Sequence, residues 1–359
     1  MTLKSMETRS GDLVFPVFLP DATLGVVRSL DARDLETCHV QAVVMNTYHL
    51  MLRPGSTTIS SLGGLHQMSG WNKPIITDSG GFQIYSLIHQ NPKFGKISDD
   101  GISFKPEGST RKYQLTPEKC IQLQMGYDSD IIICLDDCTH VDATREEQEA
   151  SVRRTAAWAK RCKNEYLRLL KEKKLHAGQR PKIFAVVQGG GYEDLRRQCA
   201  DELLSIGFDG YGFGGWPLDG KGNLLSDILE YVRQIIPAQF PLHALGVGHP
   251  ENVAACYKLG YSMFDSAMPT RDARHSRLYV FTESQGLGEH WFEYLYINDD
   301  KHIKNKEPLS KYCDCWTCRY YSTGYLRHLY KIEDTLYYRL ATIHNVRFMT
   351  QLCERMKQS

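Results

Sequence analysis

The 359-residue sequence lacks a long hydrophobic run near its start. The stretch Leu13–Leu19 is interrupted by Pro16 and ends at Pro20, which is too short to span a bilayer. A basic segment leading to a small-residue cleavage site is also missing, as are repeats and low-complexity segments. Without a secretion signal, the eleven cysteines are expected to be free thiols or metal ligands in a reducing compartment. We therefore predict a cytoplasmic protein with no membrane partner.

Net charge is nearly absent too, at +1, so the chain as a whole gives no indication of a nucleic-acid partner. The distribution of charge is uneven, however. Residues 301–359 hold eleven Lys and Arg against five Asp and Glu, a net charge of +6, which leaves −5 for the first 300 residues. A basic segment on an acidic body is typical of a surface that meets a phosphate backbone, but a solvated basic face fits the pattern equally well.

What the sequence does contain is an alternation of short apolar runs with helical patterns. Amphipathic periodicity predicts helices over residues 143–174, 192–206, 224–236 and 251–259, and Thr116-Pro117 predicts the start of another. Apolar strands alternating with such helices indicate a parallel sheet covered by helices, either a (β/α)8 barrel or a doubly wound sheet. The strand-length runs are Ala42–Met45, Pro74–Thr77, Asp130–Leu135, Ile183–Val187, Phe208–Phe213, Leu242–Val247 and Tyr261–Phe264.

The ends of these runs carry the chemical information. Each run leads into a carboxylate, a carboxamide or a glycine corner, among them Asp78, Asp136, Gln188, Gly215 and Asp265. Any one of them could simply end a strand, since Asp and Gly favour turns. Seven together favour the (β/α)8 TIM barrel, because a barrel brings all strand ends to one rim, where active sites lie.

Three cysteines close to the C-terminus form a metal-binding pattern. Cys313, Cys315 and Cys318 lie within six residues, and 25 residues separate Cys318 from His344. Three thiolates and one imidazole complete a tetrahedral zinc shell with no open position, so we predict one structural Zn²⁺ per chain. His328 competes for the fourth position, and free cysteines are the alternative to a metal site. The predicted organisation is one catalytic domain over residues 1–359, with a small zinc-binding insertion, or lobe, over residues 301–350.

Taken in order, motifs along nearly the whole chain resemble those of the tRNA-guanine transglycosylases, also called queuine tRNA-ribosyltransferases. The resemblance implies a (β/α)8 barrel with a zinc-bearing insertion, in agreement with the reading above. It also implies a pentosyltransferase that exchanges the wobble guanine of tRNA anticodons for a 7-deazaguanine base. The matching strings are Asn46–Gly55, Thr77–Gln83, Asp136–Cys138, Gln188-Gly189, Gly207–Tyr211, Gly246–Gly248, Phe264-Asp265, Pro269–Arg274 and the cysteine set with His344.

The resemblance assigns two carboxylates to the reaction. By similarity, Asp265 attacks the anomeric carbon and forms a covalent ribosyl-enzyme, while Asp78 protonates the leaving guanine and deprotonates the incoming base. Two displacements restore the original configuration, as in retaining glycoside transfer. Asp78 is expected to have a proton affinity adjusted by burial.

The remaining site residues implied by the resemblance bind the base and the tRNA. Asp136 and Gln188 read the edge of the purine-like base, the Gly215 N–H binds its carbonyl, and Phe82 and Leu245 form its two walls. Arg271 and Arg274 contact nucleotides next to the target, where a planar guanidinium can pair with phosphate or stack on a base. The family also implies a homodimer formed through the zinc lobe region.

One loop departs from the family pattern. After Gly214-Gly215, where bacterial members read Leu-Ala-Val-Gly-Glu, this chain has Trp216-Pro217-Leu218-Asp219-Gly220. In the family this loop lines the space around the substituent at position 7 of the incoming base. Gly220 stands at the glutamate position, and Asp219, one residue earlier, is the alternative carboxylate. The sequence leaves three bases open: one with an aminomethyl group, one with a cyano group, and queuine with its cyclopentenediol.

Three alternative functions compete with the wobble-guanine transglycosylase. A non-catalytic accessory subunit is disfavoured because Asp78, Asp136, Gln188 and Asp265 are all present. A metal-dependent barrel hydrolase would require an exposed metal with a water position, and no His-x-His lies at an early strand end. Archaeal relatives that modify tRNA outside the anticodon carry further C-terminal RNA-binding domains, whereas this sequence ends soon after the cysteine set.

Overall fold

The computed structural model describes residues 3–106, 108, 110–140 and 142–358, so residues 1, 2, 107, 109, 141 and 359 of the predicted domain lie outside it. Within these ranges, eight parallel strands follow one another around a single sheet in chain order, and we number them first to eighth. The eighth pairs with the first, and an isolated parallel bridge from Asp21 to Val44 joins the first to the second. The sheet thus closes into a barrel. The strands are Val17–Pro20, Val43–Asn46, Ile75–Asp78, Ile131–Ile133, Lys182–Val187, Gly210–Phe213, Leu242–Ala244 and Met263–Ser266.

The TIM barrel prediction is therefore confirmed, and the doubly wound alternative is wrong. All seven predicted strands are present to within a few residues, but the first strand, Val17–Pro20, was not predicted. Pro16 directly before this strand and Pro20 at its end make the run look broken, although a four-residue strand that ends on Pro20 forms here. Pro20 is the last residue of this strand, where a missing N–H costs little.

Helices surround the barrel, and the predicted ones are confirmed. Thr116 caps the helix Pro117–Gly126 through its Oγ1, which accepts from Lys119 N–H at 3.1 Å, and Pro117 occupies the first helical position. In the part of the chain that the structure describes, short 3₁₀ turns cover Pro92–Phe94, Ala177–Gln179 and Asp300–His302. The α-helices are Ala32–Thr37, Thr47–Leu52, Ser56–Ser61, Gly64–Ser69, Gly81–Gln90, Pro117–Gly126, Arg145–Glu172, Glu193–Ile206, Ser226–Ile235, Pro250–Lys258, Met268–Arg274, Trp316–Tyr320, Thr323–Lys331 and Thr335–Met356.

Small antiparallel elements decorate the barrel. A three-stranded sheet consists of Gly95–Ser98, Gly101–Phe104 and Tyr113–Leu115, and a hairpin of Arg277–Phe281 and Phe292–Tyr296 follows the eighth strand. A second hairpin, Ser5–Thr8 with Gly11–Val14, precedes the first strand.

The barrel interior is filled, which fixes where a site can lie. Its apolar side chains form one cluster that includes Leu19, Ile76 and Val186. Met6 and Leu13 of the N-terminal hairpin join this cluster, so the hairpin packs against the interior core. The carboxyl ends of the strands are left for function, as in other barrels.

The long helix Thr335–Met356 occupies the place of the last outer helix. It packs against the first strand and lies between the helices Pro250–Lys258 and Ala32–Thr37. An ion pair between Arg339 and Asp34, at 2.7 Å, connects it to the helix Ala32–Thr37. None of the helices in the described ranges combines the length and apolar character needed to cross a membrane.

Candidate active site and metal centre

A cavity of about 470 Å³ opens at the carboxyl ends of the barrel strands. Most of the site residues predicted from the sequence line it: Asp78, Phe82, Asp136, Gly215, Leu245, Asp265 and Arg271. Gln188 is fully buried and reaches the cavity through a hydrogen bond to Asp136, and Arg274 is not among the lining residues. Side chains from widely separated segments thus meet because each follows a barrel strand.

Asp78 ends the third strand and is held at both carboxylate oxygens. Asn46 Nδ2 donates to Oδ2 at 2.9 Å, and Gly80 N–H donates to Oδ1 at 3.0 Å. Gly80 has φ +76°, and a Cβ there would lie 2.6 Å from the Tyr48 nitrogen, so only glycine fits this turn. Burial raises the pKa of Asp78 to about 7; the charges of Asp265 and Asp21 reinforce the rise, and the two donors oppose it.

Asp265 lies in the eighth strand. Two residues from the segment of the seventh strand contact its carboxylate, and both contact the same oxygen, Oδ1. Gly246 N–H donates to Oδ1 at 3.0 Å, and the His243 Nε2 lies 2.8 Å from the same oxygen. His243 is almost fully buried, and its contact with Asp265 is close but not collinear enough for a regular hydrogen bond. An imidazole inside an apolar strand is thus directed at this carboxylate.

Two residues near these carboxylates were missed by the sequence analysis. Asp21 follows the first strand, accepts a hydrogen bond from Thr23 Oγ1, and has a pKa raised by burial and by Asp265. It fits the pattern of a polar residue after an apolar strand, but that strand was not recognised. His243 could have been found as the polar residue within the run Leu242–Val247.

On the side of the fourth to sixth strands, Asp136 and Gln188 form a pair. Gln188 Nε2 donates to Asp136 Oδ2 at 2.6 Å, while Gln188 Oε1 is buried without a hydrogen-bond partner. Burial raises the pKa of Asp136 to about 6, against the effect of the Gln188 amide. A Cβ on Gly214 would lie 2.6 Å from the Gln188 side chain, so glycine is required for this close packing. The orphan oxygen and Asp136 offer acceptors for N–H groups of a ligand.

A buried arginine supports this side of the site. Arg196 donates to three backbone carbonyls, those of Val187, Gly190 and Gly214, and its guanidinium lies 4.2 Å from the centre of the Phe213 ring. It thereby fixes the two loops that follow the fifth and sixth strands. Sequence analysis gave no indication of this role.

The loop over residues 216–220 adds apolar side chains to the cavity. Trp216, Pro217 and Leu218 line it, whereas Asp219 and Gly220 do not. Asp219 is turned into its own loop, where its carboxylate accepts from the backbone N–H groups of Lys221 and Asn223, both at 2.8 Å, and from the Asn223 side chain. Asp219 therefore does not replace the family glutamate in this conformation.

The two predicted RNA-binding arginines differ in their surroundings. Arg271 is exposed at the cavity, and the neighbouring Asp272 is engaged with Arg277 at 2.8 Å and with the Tyr279 hydroxyl at 2.6 Å. Arg274 is half-buried and donates to the Thr270 carbonyl at 2.9 Å. The Asp272 carboxylate is thus directed at Arg277 and Tyr279 and not at the adjacent Arg271.

The predicted metal ligands converge. The ligand atoms of Cys313, Cys315, Cys318 and His344 all lie within 4.8 Å of one another. His344 Nδ1 faces the sulfurs, at 3.5 Å from Cys315 and 3.3 Å from Cys318, while Nε2 donates to the Tyr279 carbonyl at 2.7 Å. Such an outer hydrogen bond orients a metal-binding imidazole, so the four residues fit a metal ion. His328 is exposed and outside this cluster.

The barrel and the carboxylate-lined cavity at its rim define an enzyme of the α/β-barrel class. The family model described as queuine tRNA-ribosyltransferase matches residues 3–359. The chain therefore belongs to the queuine tRNA-ribosyltransferase family and is an enzyme, a tRNA-guanine transglycosylase.

Individual relatives agree with this assignment. Queuine tRNA-ribosyltransferase of Psychrobacter sp. strain PRwf-1 is 38% identical over 351 residues, covering 97% of this chain and 87% of the relative. The proteins of the same name from Shouchella clausii and Solidesulfovibrio magneticus are 37% and 38% identical, each over 99% of this chain and over 88% and 89% of their own lengths. The hydrolase alternative is thereby discarded.

Proposed function

We propose that this enzyme exchanges the wobble guanine of tRNA anticodons for a 7-deazaguanine base by double displacement through a ribosyl-Asp265 ester. The observation that supports this most is the presence, in one cavity, of two carboxylates in different environments. Asp78 has a pKa raised to about 7 by burial, which suits proton transfer, whereas Asp265 is held from one side only.

In the first displacement, Asp265 attacks C1′ of the ribose. Gly246 and His243 both contact Oδ1 and orient the carboxylate, so Oδ2 is the oxygen offered to the anomeric carbon. A bond forms between this oxygen and C1′ while the bond from C1′ to guanine breaks, and protonated Asp78 gives its proton to the departing base. His243 acts here as a positioning residue.

In the second displacement, the incoming base attacks the same carbon. Asp78, now a carboxylate, takes the proton from the ring nitrogen of the base as that nitrogen bonds C1′ and the ester bond to Asp265 breaks. Inversion at each step restores the original configuration. One residue thus serves as acid and then as base, which requires a pKa close to the working pH.

Base recognition is assigned to the opposite side of the cavity. Asp136 and the unpartnered Oε1 of Gln188 accept from N–H groups of the base, and the Gly215 N–H donates to its carbonyl. Phe82 and Leu245 line the cavity and form the two faces between which the planar base lies.

The tRNA contacts are proposed for Arg271 and Arg274, which follow Asp265 on the helix Met268–Arg274. The net positive region from residue 301 onward would hold the phosphates of the anticodon stem. The cytoplasm is the proposed location, because none of the eleven cysteines, all within the described residues, forms a disulfide.

Zinc is the metal proposed for Cys313, Cys315, Cys318 and His344, because three thiolates and an imidazole are its usual structural ligands. When bound, it would tie together segments of the C-terminal region and leave no position for substrate. These ligands belong to the proposed zinc-binding lobe over residues 301–350, within one catalytic domain.

Homodimerisation through the lobe region is proposed as well. Exposed aromatic side chains there, among them Trp316, Tyr320 and Tyr325, are suited to a protein interface. Sedimentation of the purified chain checks this proposal: a fully active monomer would contradict it.

The reaction is tested with an anticodon stem-loop RNA and labelled guanine. We expect guanine exchange, and a covalent RNA adduct that survives denaturing electrophoresis. Asp299→Ala, which removes a carboxylate outside the cavity lining, should keep both guanine exchange and the adduct, and it is the control for removal of Asp265. An accessory subunit would exchange no guanine.

A further inference from the structure

Asp21 belongs to the layer of polar side chains directly above the interior core of the barrel. Side chains that point into a barrel alternate along each strand. In the first strand, Val17 and Leu19 belong to the interior core, and Asp21 is the next residue of the same alternation. In the eighth strand, Met263 belongs to this core and Asp265 is the next residue. Asp21 therefore points toward the same end of the barrel interior as the proposed nucleophile.

The pairing of the strands fixes the place of Asp21 beside Asp265. The first strand lies between the eighth and the second, because Asp265 pairs with Leu19 and Asp21 forms the bridge to Val44. From the strand spacing and a rise of two residues, the Cα atoms of Asp21 and Asp265 are roughly 8 Å apart. Burial raises the pKa of Asp21, and the charge of Asp265 adds to this rise, as expected at such a distance. A group as large as a sugar can thus contact both carboxylates.

The hydrogen bonds of the Asp21 carboxylate come from its own turn. Thr23 Oγ1 donates to Oδ1, and the Thr23 backbone N–H is a second donor. Two cations act on the carboxylate through their charge: Arg28 favours its ionised form, and Asp21 in turn favours the charged form of Arg274. The half-buried carboxylate thus lies between the proposed nucleophile and the helix proposed to contact RNA, and it remains accessible to a ligand.

The ribose of the target nucleotide extends toward this part of the rim. Every residue that lines the cavity comes from the third to the eighth strands or from the segments that follow them. The residues proposed to read the base follow the fourth, fifth and sixth strands, so the base fills that side of the cavity. Its ribose is bonded at Asp265, in the eighth strand. The sugar therefore continues past Asp265 over the first and second strands, next to Asp21.

The chemistry of RNA leaves one donor for a carboxylate in this position. Within an RNA chain the 3′ and 5′ oxygens of the sugar are phosphate esters, so the 2′-hydroxyl, on the carbon next to C1′, is the only hydroxyl left. A carboxylate repels the phosphates but accepts a strong hydrogen bond from a hydroxyl group. In glycoside transfer, a hydrogen bond to the hydroxyl next to the reacting carbon strengthens in the transition state.

We propose that Asp21 binds the 2′-hydroxyl of the target nucleotide and thereby makes the enzyme favour a ribonucleotide over a deoxyribonucleotide at that position. The proposal rests on the attack of Asp265 on C1′ given above. Oδ1 of Asp21 keeps its bond to Thr23, and the 2′-hydroxyl donates to Oδ2. Asp21 thus binds the sugar, whereas Asp136 and Gln188 on the other side of the cavity are proposed to read the base.

The test uses two stem-loop RNAs that differ only in the sugar of the target guanosine, ribose in one and 2′-deoxyribose in the other. The measured quantity is the ratio of kcat/KM for guanine exchange on the two RNAs, in which the intrinsic reactivity of each sugar cancels when enzymes are compared. Asp21→Ala should lower the ratio of ribose to deoxyribose about 30-fold, the effect of losing one hydrogen bond to a charged acceptor. Asp21→Asn keeps an acceptor for Thr23 but loses the charge, and it should lower the ratio about fivefold.

Asp12→Ala is the matched control, because Asp12 is an exposed carboxylate on the N-terminal hairpin that precedes the first strand. Its ratio should equal that of the unaltered enzyme. An unchanged ratio in Asp21→Ala overturns the proposal, even if exchange on both RNAs falls equally, because Asp21 would then only stabilise its turn. If Asp21→Ala does not fold, an unchanged ratio in Asp21→Asn has the same meaning. Absence of any guanine exchange by the unaltered enzyme would instead refute the proposed function itself.

Discussion

The cavity and the cysteine cluster both gather polar groups, but they leave them in opposite conditions. In the cluster, the ligand atoms converge within 4.8 Å and the remaining nitrogen of His344 is bonded to a carbonyl. In the cavity, Gln188 Oε1 has no partner and Asp78 has a pKa raised to about 7 by burial. Ligand atoms that converge on one point stabilise a structure, whereas buried polar groups without hydrogen-bond partners are available to a substrate.

The comparison is tested most severely by the proposed nucleophile. Asp265→Ala removes the oxygen that bonds the ribose, so we expect base exchange to fall on the order of 10⁴-fold. The denaturing-gel adduct should disappear while the thermal unfolding midpoint changes little. An adduct that persists in this variant would assign the nucleophile to another residue.

A change in the cysteine cluster should lower the stability of the protein first, whereas loss of Asp265 should lower its activity and leave its stability nearly unchanged. Cys315→Ala breaks a closed set of ligands, so we expect loss of bound zinc and a thermal unfolding midpoint lower by about 5–10 °C. Metal analysis and calorimetry measure both effects. Cys256→Ala is a control for the loss of a buried thiol outside the cluster. A folded, metal-free variant of unchanged stability would contradict a structural metal.

Asp78 predicts a pH dependence whose sign follows from its raised pKa. Adduct formation requires the protonated acid, so its single-turnover rate should fall about tenfold per pH unit above pH 7. Asn46 Nδ2 favours the carboxylate, and Asn46→Ala should therefore move this fall to higher pH. A profile that is flat from pH 6 to 9 would remove Asp78 from the proton transfer.

A smaller effect is expected for the RNA contact. Arg271→Ala should raise the KM for the stem-loop about tenfold and leave the KM for the free base unchanged, because a charge-assisted contact to RNA is lost. Arg33→Ala, on an outer helix, is the control. An equal change in both KM values would instead indicate a disturbed cavity.

The smallest effect is expected for His243. His243→Gln keeps a donor near Asp265 Oδ1 and should lower kcat only a few fold, whereas His243→Leu should lower it about tenfold. The KM for the base should stay constant in both. Identical kcat values for the two variants would show that packing, not orientation of Asp265, explains the contact.

The sequence predicted much of this fold because its strands are apolar runs and its helices are amphipathic. The strand Val17–Pro20 was not predicted because Pro16 and Pro20 interrupt the apolar run. Asp21, the polar residue that follows this strand, was therefore not recognised as a site residue. Asp78, Asp136, Gln188, Gly215 and Asp265 were predictable because each lies at or just after the end of a strand, whereas Phe82, Leu245 and Arg271 were assigned by the resemblance. Arg196 was not predictable, because its partners Gly190 and Gly214 lie in the two loops after the fifth and sixth strands, which come together only when those strands pair.

The helix Thr335–Met356 makes the two regions mechanically dependent on each other. His344 lies near its middle, and the same helix packs against the first strand, which leads directly to Asp21. Thr350 Oγ1 donates to the Cys38 carbonyl at 2.6 Å, which ties the helix to the chain just before the second strand. A chelator that removes the metal without entering the cavity should therefore inhibit the enzyme, because it weakens the packing of this helix against the first strand of the barrel.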